Sequence, residues 1–95
     1  MPPEMSNLKL PSTLLHDQAD ACLAQLEAQW RLSMHARVPV DASALVEFDS
    51  SALAVLLGLR RLVLAQGGSL HITGMSARLR ELASLYGVLA LLEQA

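Results

Sequence analysis

The chain has 95 residues, a length that holds one domain and one hydrophobic core. Hydrophobic residues make up 53% and aromatic residues only 3%, so the core must be built from Leu, Val and Ala, with an aliphatic excess that suggests burial against another protein. A net charge of −2, no basic run, and only Phe48, Trp30 and Tyr86 to stack on bases exclude a nucleic-acid interface.

Residues 1–7 carry two prolines and little hydrophobicity, and read as a flexible lead-in to a domain over residues 8–95. No cationic segment followed by an apolar one opens the chain, so no signal peptide is expected. Leu8, Lys9 and Leu10 alternate as a strand that stops at Pro11 and is prolonged by Thr13 to Leu15. His16 and Asp17 start a helix running to Trp30, with Ala19, Cys22, Leu23, Leu26 and Trp30 forming its apolar stripe. The lone Cys22 excludes an internal disulfide and fits a reducing compartment, and its place in the stripe marks it as a small buried residue.

Arg31 to Ala36 form a connection, and Arg37 to Asp41 a buried strand. Pro39 has no N–H for a ladder, so a local defect is expected there if that strand is central. A short loop over Ala42 to Glu47 leads to the most informative stretch, Phe48 to Gly68. It opens on three helix-capping candidates, Asp49, Ser50 and Ser51, and stays apolar for about four turns. Its longest apolar run, Ala52 to Leu59 interrupted by Gly58, is far shorter than the ~20 residues of a membrane span, so no membrane insertion is expected.

At 100° per residue this helix has two faces. Ala52, Leu56, Leu59 and Val63 make a sheet-facing set. Ala54, Leu57, Gly58, Arg61 and Ala65 lie opposite, with Leu53, Arg60 and Leu64 on the shoulder, and suit a partner. Gly58 costs ~1 kcal/mol relative to Ala in a helix interior, which implies close backbone approach. Ser69 to Thr73 alternate as a strand, and Gly74 turns the chain. Ser76 caps a last helix with Leu79, Leu82, Ala83 and Tyr86 on its apolar stripe, and Gly87 stands at its C-terminal stop. Val88 to Leu92 fit either a short strand or a helical tail. Helices alternating with strands at short spacing predict an α/β domain with a mixed, mostly parallel sheet flanked by helices.

Catalytic and metal-binding sites are not expected. His16, His35 and His71 fall on a helix start, a loop and a strand with no ligand or triad spacing. Gly67-Gly68 follows a helix instead of leading into one, so no nucleotide or other cofactor is implied.

The run Asp49-Ser50-Ser51-Ala52-Leu53, after the Val40-Asp41 strand end and before Leu56-Leu57, resembles the motif of STAS domains. These occur as bacterial anti-sigma factor antagonists and as regulatory domains of transporters. Gly74-Met75-Ser76-Ala77-Arg78-Leu79 with Leu82-Ala83-Ser84-Leu85-Tyr86-Gly87-Val88 is similar to the STAS subunits of Mla-type phospholipid ABC transporters. That resemblance implies a single STAS-like domain, non-catalytic and cytoplasmic. It would bind the ATPase subunit and, through it, the permease, and be peripheral to the inner membrane of a Gram-negative cell. The partner-binding residues it marks are Asp49, Ser50, Ser51, Leu53, Leu57, Arg61, Arg78 and Tyr86. The alternative it implies is an anti-sigma factor antagonist that binds a serine kinase and is phosphorylated on the residue after the motif Asp, here Ser50. Antagonists typically carry Gly at the position of Ala52 and a fuller N-terminal strand pair, which favours the transporter reading.

Overall fold

A computed structural model of the protein describes residues 8–33 and 36–92. The expected lead-in over residues 1–7, and His35, lie outside the described residues. The chain runs β1 (Leu8–Lys9), β2 (Thr13–Leu14), a 3-10 turn (His16–Gln18), α1 (Ala19–Ser33), β3 (Arg37–Asp41) and β4 (Glu47–Phe48). It continues as α2 (Ser50–Ala65), β5 (Ser69–Thr73), α3 (Ala77–Leu85) and α4 (Leu89–Leu92).

The fold is α/β, with parallel strands flanked by helices. A three-stranded sheet has the order β1-β3-β5, and a two-stranded ladder joins β2 to β4. Thr13 and Leu14 therefore do not prolong β1 as the alternation suggests. Beyond Pro11 they pair instead with Glu47 and Phe48, a ladder too short for residue patterning to reveal. Because β1, β3 and β5 step across the sheet in one direction, two right-handed crossovers place α1 and α2 on the same face. Burial agrees with this. Val38 and Val40 are buried, whereas Lys9, Arg37, Ser69 and Thr73 on the opposite face are exposed.

β3 is central, and Pro39 sits opposite His71 in an unbroken β3–β5 register from Arg37↔Ser69 to Asp41↔Thr73. Backbone parity explains why. The Ala36 carbonyl and the Ala42 N–H bond to β5, so the even-numbered residues of β3 face β5 and the missing N–H of Pro39 faces β1. The described β1 ladder starts only at Leu8↔Val40, so the β5 side carries no defect.

Alpha-helix α1 extends three residues past Trp30 to Ser33, shortening the expected connection. Its stripe is as expected: Leu26 and Trp30 are buried, and Ala19, Cys22 and Leu23 pack half-buried against the core. Desolvation pushes the Cys22 thiol pKa above its ordinary value, as expected of a packed apolar residue. In α2, Ala52, Leu56, Leu59 and Val63 are fully buried, confirming the sheet-facing set. A Cβ on Gly58 would lie 3.0 Å from Leu23 Cδ2, so the close approach there is α1 itself. The Gly67-Gly68 pair divides two tasks. Gly67 takes φ 81, and a Cβ on Gly68 would stand 2.6 Å from the Ala36 carbonyl oxygen.

Ser76 caps α3, its Oγ accepting from Leu79 N–H at 3.2 Å. The segment after Gly87 resolves as the helix α4, whose Leu92 is buried in the core. That arrangement alters the expected stripe of α3. Leu79 and Ala83 are buried, but Tyr86 is the C-cap and is 60% exposed, because the chain turns at Gly87 and α4 fills the core in its place.

Candidate functional site

The start of α2 is held by one carboxylate. Asp49, in extended backbone conformation, is the N-cap: its Oδ1 accepts from the Ser51 N–H at 2.8 Å. Its other oxygen accepts from the His16 backbone N–H at 3.2 Å, tying the start of the 3-10 turn to the start of the helix. The His16 ring completes the cluster, with Nδ1 3.4 Å from Ser51 Oγ. The Ser51 N–H bond lowers the Asp49 carboxyl pKa, partial burial opposes it, and the His16 N–H bond lowers it further, so the group sits below the usual carboxylate range.

Ser50 is thereby relieved of the capping role that its residue type allows. It is the first residue of the helix, and it is exposed. An exposed hydroxyl at this position is chemically available, and the helix N-terminus beside it favours anions. Asp49 opposes any further negative charge.

Two shallow grooves meet at Ser50 and Tyr86. The apolar one is floored by Leu53 and walled by Ala54, Leu57 and Val88. The polar one carries Asp49, Arg78, Glu81 and Leu85, with Phe48 behind. The Arg78 guanidinium lies over the Phe48 ring, 5.3 Å from its centroid, a cation–π contact that fixes the wall of the polar groove. Leu85 is 83% exposed and Tyr86 beside it 60%, so the polar groove also presents apolar surface.

Of the eight residues singled out from the sequence, Asp49, Ser50, Leu53, Leu57, Arg78 and Tyr86 converge on these two grooves. Leu53 does so from within, since at 3% exposure it belongs to the core and only its edge reaches the groove floor. Ser51 faces His16 on the other side of the helix start. Arg61 lines neither groove, but stands exposed one turn beyond Leu57 on the same helix face. Sequence reasoning missed His16, Phe48, Glu81, Leu85 and Val88. His16 is 33 residues from Asp49, and no local pattern links them. Leu85 was legible as an apolar residue off the α3 stripe.

Among the described residues no group of three or more His, Cys, Asp or Glu could hold a metal ion, and no helix is long and apolar enough to cross a membrane. The site therefore consists of a capped helix start, an exposed hydroxyl and an apolar groove, which together suit contact with another macromolecule. A family model described as "Mlab, STAS domain" matches residues 1–93. The chain belongs to the STAS-domain family, whose domains are generally non-catalytic regulatory or interaction modules. No curated protein matches the chain.

Proposed function

We propose that this chain is the non-catalytic STAS subunit of an ABC transporter that moves phospholipid between the inner and outer membranes. It binds the cytoplasmic ATPase subunit, supports that subunit's assembly and activity, and reaches the permease and the inner membrane only through it. The observation that carries the proposal is the exposed surface at the start of α2, where Leu57, Tyr86 and Leu85 offer apolar contact beside the polar Asp49-Ser50 mouth. The description of the matching family supports the same assignment. A partner side chain seated over Leu53 would lie against Ala54, Leu57 and Val88, and apolar anchors of that kind contribute most at interfaces. Affinity purification from native membranes tests the proposal. The ATPase and permease should accompany the wild-type chain and be lost with Leu57→Asp.

The exposure of Ser50 favours a second reading, an anti-sigma factor antagonist switched by phosphate on that hydroxyl. A phosphate there adds about −1.5 to −2 charges at a docking surface, and so would act on a bound partner more than on the fold. Incubation with a soluble serine kinase and ATP, followed by mass spectrometry of the Ser50 peptide, separates the two. Stoichiometric modification with no ATPase binding supports the antagonist.

A further inference from the structure

Ser50, Ala54, Leu57, Arg61 and Leu64 follow one another at spacings of four and three along α2, the repeat of a helix seam. All five lie outside the core: Leu57 is half-buried, Leu64 is 44% exposed, and the other three are exposed. The seam therefore runs the length of the helix as an unpartnered stripe, about 24 Å for its 16 residues. A partner helix would lie nearly along α2, because a 3.5-residue repeat keeps the contact on one line.

The sequence of the stripe selects its occupant. Its large residues, Leu57, Arg61 and Leu64, follow its small ones, Ser50 and Ala54. A second copy placed antiparallel sets two of the three large residues against the two small ones, Leu57 opposite Ala54 of the other copy and Arg61 opposite its Ser50, and leaves Leu64 beyond the start of the facing helix. A parallel copy would place Arg61 against Arg61 and is disfavoured by like charge. The charges match only in the antiparallel sense. Arg61 is paired with no acidic residue among the described residues. The Ser50 end that it reaches carries Asp49, Glu81 and the Tyr86 ring together with Arg78, whose guanidinium lies over the Phe48 ring, so the formal charge there is −1. Asp49 and Glu81 supply the opposite charge and Tyr86 a face for the guanidinium.

We propose that the chain forms an antiparallel homodimer through the outward stripe of α2, with Arg61 of each copy seated at the Asp49-Ser50-Tyr86 end of the other. One helix pair is a small interface, at the low end of the size range of specific complexes, so the dimer is weak and concentration-dependent. It covers the face assigned above to the transporter ATPase, but it does not depend on that assignment.

Sedimentation velocity of the purified full chain from about 5 to about 500 µM tests this, a span in which a weak dimer changes population visibly. The dimer fraction should rise with concentration, and Arg61→Glu should raise the dissociation constant at least about tenfold with an unchanged circular dichroism spectrum. Orientation is read in a Cys22→Ala background. Chains carrying Ala54→Cys should cross-link to chains carrying Leu57→Cys on mild oxidation, and more readily than to themselves. A single monomeric species throughout the range would overturn the proposal. So would a dimer indifferent to Arg61→Glu, or cross-linking dominated by position 54 with itself.

Discussion

Leu56 and Leu57 are neighbours in sequence and identical in chemistry, yet the fold places them on different faces of α2. Leu56 is 0% exposed in the centre of the core, and Leu57 is half-buried at the groove wall. Truncating Leu56 to Ala removes buried methylene groups and leaves a cavity, at a cost of about 3–4 kcal/mol by comparison with other fully buried leucines. Leu57→Ala gives up roughly half of a side-chain transfer and leaves no closed cavity, so about 1 kcal/mol is expected. A domain of this size is stable by roughly 5–14 kcal/mol, so both variants fold. With a urea dependence of about 1 kcal/mol per molar, Leu56→Ala lowers the midpoint by about 3 M and Leu57→Ala by about 1 M. Urea titration followed by circular dichroism measures both. Equal costs at the two positions would refute the division of the helix into a core face and a docking face.

Three further outcomes follow from local geometry. Gly74 has φ 74, and a Cβ there would stand 2.8 Å from Ser43 Cβ and 2.9 Å from the Ser43 backbone nitrogen, whereas at Gly67, φ 81, nothing lies within 4 Å. Gly74→Ala should therefore lower the melting temperature by roughly 10 °C or more, and Gly67→Ala by about half as much or less; calorimetry distinguishes them. Gly58→Ala should come close to neutral in a urea melt, with about 1 kcal/mol of helix propensity offset by the 3.0 Å contact with Leu23, and should become stabilising in a Leu23→Ala background. The Asp49 carboxyl is lowered on folding, first by the Ser51 N–H bond. Its contribution to stability is thus complete above the unfolded-state pKa of about 3.9 and is lost as pH falls through the lower folded-state value. Asp49→Asn, which keeps an acceptor without the charge, should differ from wild type at pH 6 and converge with it near pH 2 in thermal melts, whereas a gap unchanged across that range would contradict the charge-based account.

What the sequence revealed and what it hid follow a physical division. The helices and the long strands β3 and β5 were legible because each spans enough residues to show its period, and the buried set of α2 emerged from its 100° repeat. The ladder between β2 and β4 was not legible, because two residues carry no period. The choice of Asp49 over Ser50 as N-cap was hidden as well. All three polar residues at the helix start are good caps by type, and only the second bond from Asp49 to the His16 N–H decides among them. Tyr86 fell on the expected stripe of α3 but is exposed, since the helix ends at Leu85 and α4 takes its place in the core. The grooves themselves depend on where α3 and α4 pack against α2, a tertiary outcome that no local window contains.

On the function proposed above, the outward surface at the start of α2 docks the ATPase of a lipid-transporting ABC complex. Quantitative mass spectrometry of affinity-purified complexes from native membranes tests it most directly, comparing wild type with the folded variants Ser50→Asp and Leu57→Asp. An ATPase and a permease should accompany wild type in stoichiometric yield, with a large loss in both variants. Recovery of a soluble serine kinase instead, with phosphate on Ser50 and no ATPase, would contradict that function.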